Sequence, residues 1–143
     1  MEIDLRNLPK GYIFCFNSDC PLHEECLRWK VSNQMVFDEL TAQVVLPHVA
    51  RLGECAFFTK AELLRMAWGF DHLFAEVKRK DDAPLRDAMK RYLGGNGTYS
   101  RYKLGRRLLT PTQQEYIINL FRKRGYTEKL VFDHYVMAFD FDH

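Results

Sequence analysis

No stretch of the sequence approaches the roughly 18 consecutive apolar residues that a membrane helix needs, and none is expected to cross a bilayer. Glycine and proline are scarce, eight and five in 143 residues. With no internal repeat, low-complexity tract or long linker, residues 1–143 read as one domain. A large net charge is missing too: +2 overall with 47% apolar residues excludes disorder as the main state, because disordered chains combine low hydrophobicity with high charge. The opening Met1-Glu-Ile-Asp-Leu-Arg6 lacks the basic-then-apolar profile of a secretory signal, so the expected location is cytoplasmic. Catalytic signatures are absent as well. Gly94-Gly-Asn-Gly97 lacks the Lys-Ser/Thr of a phosphate loop, and neither His-Glu-x-x-His nor Gly-x-Ser-x-Gly occurs. His72, beside Asp71, reads as a surface or satisfied core histidine, His48 and His134 have no readable partner, and His143 is terminal. No catalytic residue is assigned, and the expectation is a protein that is not an enzyme.

What the chain does have is uneven charge. Residues 1–77 hold 7 Lys and Arg against 11 Asp and Glu, residues 78–129 hold 14 against 5, and residues 130–143 hold none against 3. The middle block, at net +9, can attract anionic partners if it folds onto one face. Within it Arg101, Lys103, Arg106, Arg107, Lys123 and Arg124 are the candidate anion or nucleic-acid contacts, interleaved with Tyr99 and Tyr102 in a composition suited to stacking and phosphate binding. The alternative is structural: cations in a last helical turn stabilise the macrodipole, and the tyrosines belong to a core.

Local patterns predict a helix-rich α+β fold with a small cysteine-bearing knuckle at 11–58 and a mainly helical body at 59–143. Pro21, with Leu22, Cys26 and Trp29 on one face, predicts a short helix at 21–31. Thr41–Leu46 is β-branched and ends at Pro47, which predicts a strand or extended segment. Thr59 and Glu62 form a capping-box pattern, and Leu63, Ala67, Phe70, Phe74 and Val77 continue it as a helix over 60–79; Gly69 inside it marks a bend or a close contact. Leu85, Met89, Tyr92 and Leu93 predict a helix stopped by Gly94, and Thr98–Leu104 a hairpin strand. Thr110-Pro-Thr-Gln113 opens a helix to about Arg124. Leu130–Phe141 fits both helix and strand periods; its aromatics require it to dock, either on the long helix at 60–79 or on a second copy.

Cys15, Cys20 and Cys26 stand at Cys-x4-Cys-x5-Cys spacing, with Cys55 further on. Three thiols in twelve residues of a chain expected in a reducing compartment point to metal ahead of a disulfide. Four thiolates can complete a zinc site or an iron–sulfur cluster. His23 between Cys20 and Cys26 is the alternative fourth ligand, which would leave Cys55 an ordinary buried thiol. Cys20, just ahead of the Pro21 helix, is placed to gain from a helix N-terminus. Four reduced core thiols without metal are the competing reading.

Gly11-Tyr-Ile-Phe-Cys15-Phe-Asn-Ser-Asp-Cys20-Pro21, Cys26-Leu-Arg28, Cys55, Leu109-Thr-Pro-Thr-Gln-Gln114 and Val131-Phe-Asp-His-Tyr135 together resemble a family of short uncharacterised Bacteroidetes proteins, a domain of unknown function. Ala56 stands where the family's pattern has a proline. The resemblance implies a bacterial intracellular protein of one domain and supplies no activity. The sequence therefore reads as a non-enzymatic adaptor or regulatory interaction module with a four-cysteine metal site, binding a protein partner ahead of nucleic acid, as monomer or homodimer. The alternatives are a nucleic-acid-binding module using the 78–129 region, or an iron–sulfur or thiol-dependent redox protein.

Overall fold

A computed structural model describes residues 3–6 and 8–142; the opening Met1-Glu2 and the terminal His143 lie outside the described residues. The architecture is the helix-rich α+β one that the pattern predicts. Its elements are α1 (Leu27–Gln34), β1 (Leu64–Trp68), α2 (Asp71–Phe74), α3 (Arg79–Leu93), α4 (Asn96–Leu104), α5 (Pro111–Arg122) and β2 (His134–Ala138), with 3-10 turns at His23–Glu25 and Pro47–Arg51. No helix among the described residues is long and apolar enough to cross a membrane. The chain divides into two compact units: one runs to Leu63 and takes up the chain again from Phe139, and the other is Leu64–Ala138.

In the second unit, α3 puts Leu85, Met89 and Leu93 on one buried stripe and ends at Gly94 in a left-handed cap with φ 93°. This helix starts earlier than the sequence suggests, at Arg79, with Asp81 and Asp82 in its first turn where the macrodipole favours them. The helix α5 follows its start signal closely. The Thr110 hydroxyl accepts from Gln113 N, the Gln113 side chain accepts from Thr110 N, and Pro111 occupies the first turn. Gln114 is buried in the same helix, donating to the carbonyls of Arg65 at 2.8 Å and Leu109 at 3.0 Å.

Two expectations for this unit are corrected and one left open is decided. Residues 60–79 are not one helix but β1, a turn and the single-turn α2. The break is at Gly69, whose φ of +86° no helix can pass. The 98–104 segment is helical, not a hairpin strand: Tyr99 and Tyr102, three apart, share the buried face of α4, and Gly105 closes it because a Cβ there would meet the Trp68 indole at 2.8 Å. The C-terminal segment is a strand. It pairs with β1, a strand inside the stretch expected as one long helix, through antiparallel register from Leu64↔Ala138 to Trp68↔His134. Trp68 and His134 stack across this pair at 4.0 Å, and the Arg65 guanidinium lies 3.8 Å over the Tyr135 ring.

The first unit packs Ile3, Tyr12, Phe14, Leu27, Val31 and Phe139 into its own core. Its helix begins at Leu27 rather than near Pro21, and residues 41–46 are extended, with a single parallel bridge between Phe14 and Val44.

Candidate functional site

The cysteines of the first unit are positioned by hydrogen bonds, some within local turns and some between distant stretches of chain. Phe14 N donates to Gln43 O at 2.9 Å and Val45 N to Phe14 O at 2.8 Å, which seats the 43–45 segment beside Cys15. Cys15 N donates to the Ser32 hydroxyl at 2.8 Å, and that hydroxyl donates to Arg28 O, so Cys15 is tied to α1. Cys20 sits in a turn in which its N–H donates to Asn17 O and its carbonyl accepts from His23 N. Cys26 is the residue immediately before α1, its N–H donating to His23 O; the helix-start position expected for Cys20 belongs to Cys26. Cys55 precedes a segment held against the start of α1 by an isolated antiparallel bridge between Cys26 and Lys60, where Leu27 N donates to Thr59 O at 2.7 Å and Ala61 N to Glu25 O at 2.9 Å.

The result is one small cavity of about 20 Å³ whose lining includes Cys15, Cys20, Cys26, Cys55 and His23. All four cysteines are unbridged. Apart from Asn17, the remaining wall is apolar, formed among others by Trp29, Val45, Val49 and Phe58. Asn17 turns its amide to the carbonyls of Val45 and Leu46. A void of this size holds about one water molecule or one ion. Among the described residues no group of three or more His, Cys, Asp or Glu side chains is set to hold a metal ion as it stands.

The electrostatics suit protons that leave only for a good reason. Burial pushes the Cys15 thiol up, the backbone N–H of Asn17 bonds to its sulfur and pulls it back, and the neighbouring Cys26, Cys20 and Cys55 push it up again. His23 Nδ1 lies 2.7 Å from Cys20 O. A carbonyl only accepts, so Nδ1 carries a proton and Nε2 is the ring nitrogen left for another partner, an orientation device common behind metal-binding histidines. Its ring packs edge-on against Trp29 at 4.6 Å.

The six basic candidates separate into two groups, each at a helix C-terminus. Arg101 and Lys103 lie in the last turn of α4, and the N–H groups of Arg106 and Arg107 both donate to Arg101 O. Arg107 also packs over the Tyr102 ring at 5.3 Å. Lys123 follows α5 directly, and Arg124 donates to Asp81 at 3.0 Å. Tyr99 and Tyr102 are buried at 4% and 2% exposure, so neither presents a face to a base. Sequence reasoning missed the partner of His72, which is Asp133 and not the adjacent Asp71.

The site and the fold thus define a helix-rich α+β protein with every thiol gathered into one unit around a cavity of about 20 Å³. The chain belongs to DUF6078, a family of unknown function, whose model matches residues 1–141. No curated protein and no solved structure matches it.

Proposed function

We propose that the first unit is a thiolate knuckle for a single structural ion of the zinc class, in a small non-enzymatic adaptor or regulatory protein. The observation that carries this is the convergence of Cys15, Cys20, Cys26 and Cys55, from two separate stretches of chain, on one cavity with an apolar wall. Thiolates are soft donors that select zinc over magnesium or calcium. Zn–S bonds of about 2.3 Å place tetrahedral sulfurs about 3.8 Å apart, so binding draws the thiols inward and displaces their protons. His23 is the alternative fourth ligand, with Nε2 as its donor atom. The cavity volume favours one ion over an iron–sulfur cluster, which needs several times that space. The bacterial, cytoplasmic setting implied by the resemblance suits reduced thiols. Val36, Leu40, Leu46 and Leu52, all in one connecting stretch and 57–101% exposed, favour a protein partner over nucleic acid, because such side chains gain by covering and contribute nothing to phosphate binding.

The test is metal analysis of protein purified without oxygen. About one zinc per chain, a colourless spectrum, and reduced zinc content in Cys20→Ser and Cys55→Ser support the reading. Visible absorption with iron and sulfide in the protein, or no uptake when zinc is supplied under reducing conditions, overturns it.

A further inference from the structure

The two-stranded sheet of the second unit has one edge covered and one bare. On β1, Ala67 N donates to Leu109 O at 3.1 Å and Leu109 N to Ala67 O at 2.8 Å. Two residues earlier, Arg65 O accepts from the buried Gln114 side chain at 2.8 Å. Along an antiparallel strand the N–H and C=O of one residue point to one side and those of the next residue to the other. Arg65 and Ala67 therefore turn their backbone groups away from β2, and the hydrogen-bonded pairs between the strands are Leu64↔Ala138, Met66↔Val136 and Trp68↔His134. Opposite Ala67 and Arg65 stand Tyr135 and Met137, so the N–H and C=O of both face the outer edge of β2. No group among the described residues is bonded to these four.

Natural sheets blunt such an edge with lysine, proline, a bulge or a covering segment. β2 reads His-Tyr-Val-Met-Ala, without Lys, Arg, Asp, Glu or Pro, and its register with β1 runs unbroken. Val136 and Met137 lie on opposite faces of the strand by its two-residue period, and both are exposed.

We infer that the outer edge of β2 is a homodimer interface, in which β2 pairs antiparallel with β2 of a second copy. Within the strand one register satisfies every outward group: Tyr135 bonds with Met137 of the second copy and Met137 with its Tyr135, about a two-fold axis at Val136. The two valines then meet as a non-hydrogen-bonded pair, the closer kind, with Cα atoms about 4.5 Å apart. A register centred on Tyr135 would call on Asp133 N, which already donates to Gly69 O. A second copy fits this edge better than a foreign strand. The uncharged strand brings no like charges together when paired with itself, and it offers no charge for a foreign strand to match. Because Leu109 and Gln114 occupy the outer edge of β1, pairing closes at two copies, the isologous arrangement commonest among soluble oligomers. Backbone bonds with a few apolar side chains make an interface below about 1,200 Å², so the dimer belongs to the micromolar class.

The test is sedimentation of the full chain under reducing conditions from about 1 to 300 µM, a range that brackets such an affinity. The expected result is a monomer that becomes a dimer across this range, with amide hydrogen exchange at Tyr135 and Met137 slowing as the dimer forms. Val136→Lys and Met137→Lys, both at exposed positions, shift the equilibrium to monomer. After brief treatment with diamide, Val136→Cys forms an intermolecular disulfide through residue 136. His134→Cys, on the same face but opposite Ala138 of the second copy, does not cross-link through residue 134. A chain still monomeric at the highest concentration overturns the proposal and leaves the edge to an extended segment of another protein. So does a dimer whose Tyr135 and Met137 amides exchange as fast as in the monomer, one that both lysine variants leave undiminished, or cross-linking through residue 134 in place of 136. Should melting curves show the lysine variants unfolded, amide exchange in the parent chain decides by the same criterion.

Discussion

Gly69→Ala is expected to be among the most damaging single-methyl additions in the second unit. The added Cβ would stand 2.6 Å from Asp133 Oδ2 and 2.7 Å from Asp133 Cβ, closer than carbon atoms approach. Neither side can yield freely. Gly69 N donates to Tyr102 O and Gly69 O accepts from Asp133 N, both at 3.1 Å, so the glycine and the aspartate are tied through their backbones. Two costs add. Holding alanine at φ +86° costs about 1–2 kcal/mol in the left-handed region, and pushing Asp133 aside weakens charge-assisted bonds to α2 worth about 1.5–3 kcal/mol. The expected loss is about 3–5 kcal/mol, or a fall in Tm of about 10–15 °C for a chain of this size. Gly125→Ala is the control, because it has a similar φ of +92° but nothing within 4 Å of its Cβ; it should lose only the conformational part, about 1–2 kcal/mol. Urea unfolding of both variants, and of Gly69→Ala combined with Asp133→Ala, measures the difference. The double variant should cost clearly less than the sum of its singles, since removing the Asp133 side chain beyond its Cβ relieves part of the clash. A Gly69→Ala variant within about 0.5 kcal/mol of Gly125→Ala would refute the close-approach argument.

Two further outcomes are expected. Tyr12 is 7% exposed, its hydroxyl is buried with no hydrogen-bond partner among the described residues, and burial pushes its pKa up to about 12. Tyr12→Phe should therefore be neutral or stabilising by up to about 1.5 kcal/mol, and phenolate absorbance should show one tyrosine fewer titrating at the alkaline extreme; a loss above about 1 kcal/mol in urea unfolding contradicts this. Asp133 has a depressed folded pKa, so its contribution is present above the unfolded value of about 3.9 and fades as pH falls through the folded one. Asp133→Asn should be less stable than the parent at neutral pH and should lose less on acidification, which melting curves across the acid range will show; parallel pH profiles would refute it.

The elements legible in the sequence are those whose determinants lie within a few residues of one another. The start of α5 is written in Thr110, Pro111 and Gln113, and the end of α3 in Gly94, and both stand where the pattern puts them. The 60–79 segment misleads because its apolar spacing fits a helix while the feature that forbids one, the fit of Asp133 against Gly69, comes from far along the chain. The Leu130–Phe141 segment carries two periods, and only pairing with β1 selects between them. At α4 an alternation of two competed with a spacing of three, and burial of Tyr99 and Tyr102 on one core chose the latter. Spacing pointed to the cysteines as one constellation, whereas the seating of Cys55 beside the other three goes with the pairing of Cys26 and Lys60, for which the sequence carries no local sign. The pairing of His72 with Asp133 was invisible for the same reason.

The antiparallel pair of β1 with β2 also bears on how the protein is made. A ribosome has released Leu64–Trp68 long before it reaches His134, and until then β1 has Leu109 but no strand beside it. Phe139, part of the first unit's core, emerges later still. Neither unit can complete its interior during most of elongation, and the closing contacts span long stretches of chain, which slows folding and leaves apolar surface open to chaperones. Nascent chains stalled short of β2 should accordingly be sensitive to protease throughout, and resistance should appear only once residues 134–139 have cleared the exit tunnel.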